Sequence, residues 1–394
     1  MDLFRKCYEF HDADVIKQAG FYSYFRTITS AQDPVVMIDG KPVIMLGSNN
    51  YLGLTSHPEV KEAARQAIAK YGSGCAGSRF LNGTLDIHVQ LEEKLAAFIK
   101  KPAALMFSTG FQVNLGVISC LLDRGDVVYL DKLDHACIID GARLGFGAAV
   151  KFNHNDMADL GRRLALHDSK RAALVVVDGV FSMEGDIVDL PGLVAAAASQ
   201  SCKIMVDDAH GIGVLGANGR GTAEHFGLED KVDLIMGTFS KSLASVGGFI
   251  AGEAKVVDYI RHHARSLIFS AAPPPASVAA TLKAVEIIER EPERRTQLWE
   301  NTHFMAEGLT SLGFNTGNSA TPVIPVLAGE DVIAFKLACR LQDEGVFVNP
   351  IVSPAVPPGH ALLRTSYMAT HTREHLARAL DAFKKVGREV GLIP

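Results

Sequence analysis

The middle of the chain alternates short apolar runs with longer stretches whose apolar residues recur at helical spacing. Six runs are short and almost continuously apolar, which predicts strands buried on both faces: residues 103–108, 127–131, 148–153, 173–178, 204–208 and 234–238. Helices are predicted between them, for example at 155–167 and 190–200. This rhythm is typical of α/β proteins and predicts a large domain built on a mostly parallel, doubly wound sheet.

The pattern changes after the three prolines at 273–275. Pro325 has no backbone N–H to donate, so the strand that contains it is predicted to lie at a sheet edge. The elements predicted in this part are a long helix at 276–291, strands at 323–327, 346–348 and 362–367, and a closing helix at 373–390. We therefore predict an N-terminal segment, 1–45, a large domain, 46–280, and a smaller C-terminal α+β domain, 281–394.

Composition narrows the classes of function. A formal net charge of −5 over 394 residues gives no sign of a nucleic-acid partner. The six cysteines are scattered without paired spacing, which favours reduced thiols in a cytoplasmic protein over disulfides or a metal site. No run approaches the roughly 18 apolar residues of a transmembrane helix, and residues 1–10 do not resemble a signal peptide. If the substrate is a lipid precursor, we expect the protein to meet it from the aqueous side, with peripheral membrane contact at most.

The clearest chemical signal is Lys241, in the sequence Gly-Thr-Phe-Ser-Lys-Ser at 237–242 directly after an apolar strand. A lysine flanked by small hydroxyl residues suits an amine that forms a Schiff base. Asp207, at the end of the preceding strand, suits a carboxylate that keeps a pyridine nitrogen protonated. Together they predict pyridoxal phosphate (PLP) as the cofactor and Lys241 as its anchor. Asp208 is the alternative to Asp207, but neighbouring strand residues face opposite ways, so only one of them can serve.

Other polar residues follow predicted strands at positions where such a cofactor would lie. Gly110 and Phe111 open a predicted helix, where free N–H groups and the helix dipole favour a phosphate, although a plain N-cap turn is the alternative. His135 is either a ring that stacks on the cofactor or an ordinary polar loop residue. His210, three residues after Asp207, is within reach of the cofactor's phenolic oxygen.

Two residues are candidates for binding a substrate carboxylate. Ser182 follows the strand at 173–178 and could donate a hydrogen bond, although its segment could equally be a turn rich in Gly and Asp. Arg364 lies in an apolar strand. A buried arginine forms either a bidentate clamp on a carboxylate ligand or an internal salt bridge.

One pattern in the sequence matches a nucleotide-binding motif but lacks its structural context. Residues 211–216 match the G-x-G-x-x-G pattern of dinucleotide-binding proteins. In such a site the glycines open a helix, but the residues that follow, 217–221, predict a continuing loop. A nicotinamide site is therefore disfavoured.

Three motifs, in this order, resemble those of the α-oxoamine synthases, which are fold-type I PLP enzymes that condense an amino acid with an acyl-CoA and release carbon dioxide. They are Asn-Asn-Tyr-Leu-Gly-Leu at 49–54, Asp-Asp-Ala-His-Gly at 207–211 and Thr-Phe-Ser-Lys at 238–241. The resemblance extends from about residue 24 to the end of the chain. It implies a fold-type I PLP-dependent transferase that works as a homodimer with shared active sites.

The resemblance also implies a role for each matched residue. Lys241 would form the Schiff base and move the α-proton, and Asp207 would pair with the pyridinium. His135 would stack on the ring, and His210 would contact the phenolic oxygen. The other matched residues form a phosphate group (Gly110, Phe111, Thr238, Ser240 and, from the other subunit, Ser270) and a carboxylate group (Asn49, Ser182 and Arg364).

Within the family, residues 72–84, 237–248 and 346–350 are most similar to members that condense L-serine with a palmitoyl-type acyl-CoA, the first step of sphingolipid synthesis. Gly211 favours a different member, because glycine after that histidine is common in 8-amino-7-oxononanoate synthases, which use alanine. A glycine-using 2-amino-3-ketobutyrate ligase is a further alternative. A non-catalytic partner subunit is disfavoured because such subunits lack the Schiff-base lysine, and the 49–54 motif disfavours a simple aminotransferase.

Overall fold

The structure is a computed structural model that describes residues 2–200 and 202–394. Its strands are β1 (Val35–Ile38), β2 (Lys41–Met45), β3 (Ala103–Phe107), β4 (Val127–Asp131), β5 (Ala148–Phe152), β6 (Ala173–Asp178), β7 (Lys203–Asp207), β8 (Leu234–Thr238), β9 (Gly248–Gly252), β10 (Val323–Gly329), β11 (Val346–Phe347), β12 (Asn349–Ile351) and β13 (Ala361–Ser366). The six strands predicted for the large domain are all present, each with its ends within one residue of the prediction.

The helices occupy the stretches between these strands. They are α1 (Arg5–Tyr8), α2 (Asp12–Gln18), α3 (Pro58–Tyr71), α4 (Asp86–Ile99), α5 (Gly110–Leu121), α6 (Ala136–Leu144), α7 (Met157–Ala165), α8 (Leu190–Ala198), α9 (Thr222–Phe226), α10 (Ala254–His263), α11 (Arg265–Ile268), α12 (Pro275–Arg290), α13 (Glu293–Ser311), α14 (Asp331–Asp343) and α15 (Arg373–Glu389). Among the described residues, none of these helices is both long enough and apolar enough to cross a membrane.

The large sheet has seven strands in the order β3-β9-β8-β7-β6-β4-β5. From β5 through β8 every neighbouring pair is parallel, whereas β9 runs antiparallel to both of its neighbours. The chain leaves β4 toward β5 at one edge and then returns to build β6, β7 and β8 on the other side of β4. The predicted mostly parallel, doubly wound α/β sheet is therefore confirmed.

Both faces of this sheet are covered by helices. Along β6, Val175 and Val177 pack into the core that contains α3, α4 and α12, whereas Val176 packs into the core that contains α5, α6 and α10. Successive strand residues point to opposite faces, so a continuous apolar run supplies two cores at once. The last residues of β6, β7 and β8, which are Asp178, Asp207 and Thr238, are polar and lie at the carboxyl edge of this sheet.

Two smaller sheets complete the fold. Strand β13 lies between β10 and β12 and is antiparallel to both, so β10, which contains Pro325, is an edge strand as predicted. The hairpin of β1 and β2 pairs in parallel with β11 from the C-terminal part of the chain. The domain bounds 1–45, 46–280 and 281–394 remain a prediction; helix α12 runs across position 280 and packs into a core of the large sheet.

Candidate cofactor and substrate site

The carboxyl edge of the large sheet borders a cavity of about 310 Å³. Asp178, Asp207 and Thr238, the last residues of β6, β7 and β8, all line it. Of these three, Asp207 and Thr238 were predicted from the sequence, and seven further predicted residues line the same cavity: Gly110, Phe111, His135, Ser182, His210, Ser240 and Lys241. Ligands of open α/β sheets bind at this edge, so the fold and the predicted residues agree on one place.

Lys241 follows β8 and is partly buried beside the cavity. Burial lowers the pKa of its ammonium group to about 8, although the nearby Asp207 carboxylate opposes that shift. A substantial fraction of the Lys241 side chains is therefore neutral near physiological pH. A neutral amine is the form that attacks a carbonyl group.

Asp207 is held in a fixed orientation toward the α5 side of the sheet. Its Oδ2 accepts a 2.6 Å hydrogen bond from Asn114 Nδ2, and its Oδ1 accepts one of 3.1 Å from the Ala209 N–H. Asp208 faces the opposite way, where its two oxygens accept hydrogen bonds from the backbone N–H and the hydroxyl of Thr222. Burial raises the pKa of the Asp208 carboxyl to about 7. Of the two carboxylates, Asp207 is the one at the cavity.

The loop at 211–216 packs around Asp208 and does not open a helix, as predicted. A Cβ atom at Gly211 would collide with the Asp208 carboxylate, and so would one at Gly221. Glycine at position 211 therefore has a packing reason in this chain that is independent of which amino acid the protein uses.

The N-terminus of α5 faces the hydroxyls that follow β8. The side chain of Thr109 caps the helix by accepting a hydrogen bond from the Gln112 N–H at 3.2 Å. A Cβ atom at Gly110 would lie 2.6 Å from Thr238 Oγ1, so only glycine allows this close approach. Thr238 Oγ1 lies 3.0 Å from Ser240 Oγ. Free N–H groups at a helix start beside two hydroxyls suit a phosphate.

Burial favours the neutral form of both candidate histidines. Burial lowers the pKa of His135, whose Nδ1 accepts a hydrogen bond from the Cys137 N–H at 3.2 Å. Burial also lowers the pKa of His210 well below its usual value, with the charge of Lys241 adding to the shift. His210 Nδ1 lies 2.7 Å from the hydroxyl of the fully buried Tyr51. In each ring the other nitrogen, Nε2, remains for a ligand.

Arg364 lies on β13 with only 5% of its surface exposed. Its Nε donates to the Ser182 carbonyl at 2.6 Å, and its Nη2 donates to Asn49 Oδ1 at 2.9 Å. In the described part of the chain no carboxylate oxygen lies within 4.0 Å of its guanidinium group, so the internal salt-bridge alternative is not what the structure contains. The structure thus brings the three predicted carboxylate candidates together, with Ser182 contributing its carbonyl oxygen to Arg364.

Asn49 and Arg364, which are hydrogen-bonded to each other, do not line this cavity, and neither does Ser270. The Ser270 hydroxyl accepts a 3.0 Å hydrogen bond from Gln112 Nε2 of the same chain. Sequence reasoning missed two other residues, Asn114 and Tyr51, as parts of the site. Asn114 is a fully buried polar residue on an otherwise apolar helix face, and Tyr51 is inside the 49–54 motif, so each carried a signal in the sequence.

These residues fit PLP. The cavity contains an amine whose pKa burial has lowered, and it has a glycine cradle at a helix start for a phosphate. Across from that cradle is a carboxylate whose direction a buried amide fixes. Those are the donor groups that the aldehyde, the phosphate and the pyridine nitrogen of PLP require.

Comparison with known proteins agrees with the fold and with PLP as the cofactor. Residues 41–383 match the family model of aminotransferase class I and II. A serine palmitoyltransferase of Sphingobacterium spiritivorum is 55% identical over 96% of this chain and 95% of its own length. An 8-amino-7-oxononanoate synthase of Symbiobacterium thermophilum is 48% identical over 96% of this chain and 97% of its own.

Among solved structures, a serine palmitoyltransferase with PLP bound as an internal aldimine superposes with a TM-score of 0.96 at 37% identity, covering 100% of both chains. The chain therefore belongs to the class I and II aminotransferase family and, within it, to the α-oxoamine synthases. The fold-type I architecture and the family that the motifs predicted are both confirmed. Within the family, serine palmitoyltransferases are among the proteins that this chain resembles most over its whole length.

Proposed function

We propose that this chain catalyses the serine palmitoyltransferase reaction. In that reaction L-serine condenses with a long-chain acyl-CoA such as palmitoyl-CoA, coenzyme A leaves, and carbon dioxide is lost to give 3-ketodihydrosphingosine. The observation that carries the proposal is Arg364, a buried cation whose guanidinium group is oriented by two hydrogen bonds and has no carboxylate oxygen within 4.0 Å among the described residues. An unpaired buried charge is costly, so its natural partner is the carboxylate of the amino-acid substrate.

PLP, when bound, supplies an electron sink for the negative charge that develops on the α-carbon of the amino acid. Lys241 anchors the cofactor and, with a pKa of about 8, can both take and return the α-proton near neutral pH. Asn114 holds Asp207 in the orientation that keeps the cofactor's ring nitrogen protonated. Gly110, Thr238 and Ser240 hold the phosphate.

The polar residues around Arg364 orient the substrate. Asn49 and the Ser182 carbonyl fix the guanidinium plane, which in turn fixes the direction of the serine carboxylate. Proton removal is fast only when the bond that breaks is aligned, so this clamp affects the chemical step as well as binding. His135 excludes water from one side of the cavity with a neutral ring, since burial lowers its pKa.

A second cavity supports a long acyl chain as the other substrate. It measures about 590 Å³, within the range of about 300–1000 Å³ typical of ligand sites. Pro325, Leu327 and Leu362 line it. In the register of β10 and β13, Pro325 pairs with Arg364 and Leu327 pairs with Leu362. Paired residues, and residues two apart on one strand, share a face of the sheet, so the apolar wall begins beside the carboxylate clamp.

We also propose that the protein is a cytoplasmic homodimer that can contact a membrane surface peripherally. The homodimer is supported by three apolar side chains, those of Phe80, Leu81 and Phe269, which are 50–78% exposed near the site. A cytoplasmic location is supported by six free cysteines. Peripheral contact with a membrane surface is supported by exposed Leu3 and Phe4 near the N-terminus.

The test is one assay of coenzyme A release. Serine, alanine and glycine are each combined with acyl-CoA substrates from short dicarboxylic chains to palmitoyl, and kcat/KM is compared. We expect serine with palmitoyl-CoA to be the best pair. The 8-amino-7-oxononanoate synthase reaction is the second candidate, favoured by the relative at 48% identity. If alanine with pimeloyl-CoA were the best pair, that second function would replace the first.

A further inference from the structure

The loop that follows β6 contacts both the large sheet and the smaller sheets. It comprises residues 181–186 and is called the 181–186 loop. Toward the smaller sheets, the Gly185 carbonyl accepts hydrogen bonds from Thr321 Oγ1 at 2.9 Å and from the Ala320 N–H at 3.0 Å. In the same loop the Ser182 carbonyl accepts the 2.6 Å hydrogen bond from Arg364 Nε. A shift of this loop would therefore move the acceptor that orients Arg364.

On the side of the large sheet, His154 and Asn155 hold the loop; Asn155 Nδ2 donates to Asp186 Oδ2 at 3.4 Å and to the Ile187 carbonyl at 3.0 Å. His154 Nδ1 lies 3.0 Å from Asp131 Oδ1, and His154 Nε2 lies 3.0 Å from Asp186 Oδ2. A neutral imidazole carries one N–H, so donating to two carboxylates at once requires the doubly protonated ring. Although burial opposes it, the hydrogen bonds to Asp131 and Asp186 raise the pKa of His154 to about 10.

The far end of this bridge is anchored in the sheet. Asp131 is the last residue of β4 and is fully buried. Its two oxygens also accept hydrogen bonds from the backbone N–H groups of Leu133 and Asn155, at 2.8 and 2.7 Å. The His154 ring packs edge-on against Phe181 with 4.4 Å between ring centroids. The bridge therefore runs from a rigid strand end to both ends of the 181–186 loop.

We propose that His154 is a positioning residue: bridging Asp131 and Asp186 as a cation, it fixes the 181–186 loop so that the Ser182 carbonyl holds Arg364 ready for the substrate carboxylate. The inference rests on the proposed role of Arg364 in binding serine. His154 also lines the second cavity, and the inference assigns a function to the loop between the two cavities.

The test is a double-mutant cycle on the PLP-loaded protein, read by serine affinity. His154→Gln is similar in length but is uncharged and carries both N–H groups on one nitrogen, so it cannot reproduce the bridge made by Nδ1 and Nε2. We expect it to raise the serine Kd about tenfold, within the range measured for coupled neighbours, while PLP content stays unchanged. In an Arg364→Lys background, which lacks the Nε donor to Ser182, the same substitution should change the serine Kd by less than about twofold.

A second readout does not depend on serine. Amide hydrogen exchange in the 181–186 loop should be faster in His154→Gln and in Asp186→Asn than in the wild type. His167→Gln is the matched control, because His167 is also partly exposed and bonded to a tyrosine hydroxyl, Tyr129, but lies away from the loop. It should change neither readout.

Three results would overturn the inference. The first is an unchanged serine Kd in His154→Gln, and the second is an equal loss in both backgrounds, which would mean that His154 does not act through Arg364. The third is unchanged exchange in the loop. If the wild type bound no serine at all, the proposed function would fail instead, and exchange in the 181–186 loop alone would decide the role of His154.

Discussion

Asp207 is the last residue of β7, and Lys241 follows the neighbouring strand β8. The Asp207 carboxylate accepts hydrogen bonds from Asn114 Nδ2 and from the Ala209 N–H, which fix its orientation. Burial disfavours the charged form of Lys241 and lowers its pKa to about 8. Lys241 is thus arranged to lose its proton close to neutral pH.

The lowered pKa of Lys241 predicts how the rate of cofactor uptake by the apoprotein depends on pH. Only the neutral amine of Lys241 attacks the PLP aldehyde, so the uptake rate should rise with pH and level off above about pH 8. An ordinary lysine would give a rate that still rises toward pH 10. The rate is measured by absorbance after PLP is added to apoprotein at a series of pH values.

Borohydride reduction identifies the residue that reacted. We expect the pyridoxyl group on the peptide that contains Lys241, no trapping in Lys241→Ala, and normal trapping in Lys255→Ala, a matched change at an exposed lysine. A labelled peptide with another lysine would disprove the assignment.

Asp207 and Asp208 offer a paired comparison at adjacent positions. Asp207→Asn should slow the exchange of the serine α-proton in deuterated water by about 100-fold or more, as typically follows loss of a well-placed charged or polar group in an active site. Asp208→Asn should leave exchange nearly unchanged, because that side chain contacts Thr222 behind the sheet. Proton NMR of serine with each PLP-loaded variant measures both rates. The reverse order would assign the ring nitrogen to Asp208.

At the scale of elements, strands were predicted most accurately where an apolar run continued without interruption. Strand β6 is a run of apolar residues that ends in Asp178, and its bounds match the prediction. Strand β9 was missed because its five residues begin and end with glycine, which weakens a strand pattern, and it is stabilised by antiparallel partners on both sides. Tertiary pairing, which a single sequence does not contain, decided that element.

The same limit applies to the site. Lys241, Asp207 and His135 follow strands, so their meeting at one edge could be predicted from topology. The contact between Arg364 and the Ser182 carbonyl could not, because it joins β13 to a loop 182 positions earlier in the chain. Whether Arg364 clamps a ligand or forms a salt bridge depended on which carboxylates surround it, and only the structure supplies that.

Strand β13 carries the next prediction. Arg364→Ala removes a desolvated, charge-assisted pair with the substrate, which costs on the order of 2–5 kcal/mol. The serine Kd, measured by spectroscopic titration of the PLP-loaded protein, should rise accordingly while PLP stays bound. Arg378→Ala, at an exposed arginine on α15, is the control. Unchanged serine affinity in Arg364→Ala would reject the clamp.

The face shared by β10 and β13 carries a prediction on acyl-chain length. Leu327→Trp would fill part of the 590 Å³ cavity that the residue lines. Each methylene that can no longer be buried costs about 0.8 kcal/mol, or about fourfold in kcat/KM. The loss should therefore be large for palmitoyl-CoA and small for butyryl-CoA, with the KM for serine unchanged. Val332→Trp, at an exposed position on α14, should affect neither substrate. An equal loss for both chain lengths would place the acyl chain elsewhere.

At the scale of the whole molecule, one surface beside the site has the features of a protein–protein interface. Segment 77–82 and the residues after α11 are joined by a bridge between Ser78 and Ala271 and by a 2.9 Å hydrogen bond from the Ala272 N–H to the Gly77 carbonyl. This joined surface presents Leu81, 78% exposed, and Phe269, 73% exposed. Large apolar side chains grouped at the surface indicate an interface.

We therefore expect a homodimer in which Ser270, next to Phe269, reaches the phosphate site of the other subunit. Phe269→Asp should lower the mass seen in sedimentation equilibrium from that of a dimer toward that of one 42.3 kDa chain, whereas Val332→Asp should not. A charge buried in an apolar interface is the physical cause. A wild-type monomer with full activity would contradict this expectation.

Sharing of the site is tested by mixing two inactive variants. Lys241→Ala removes the amine from one chain, and Ser270→Trp obstructs the phosphate site to which the other chain contributes. If each site takes Lys241 from one subunit and Ser270 from its partner, a mixed dimer has one site with both defects and one site with neither. Unfolding and refolding the two variants together should then restore activity, while each variant alone stays inactive. If Ser270 served only its own chain, as its hydrogen bond to Gln112 allows, every site would keep one defect and the mixture would remain inactive.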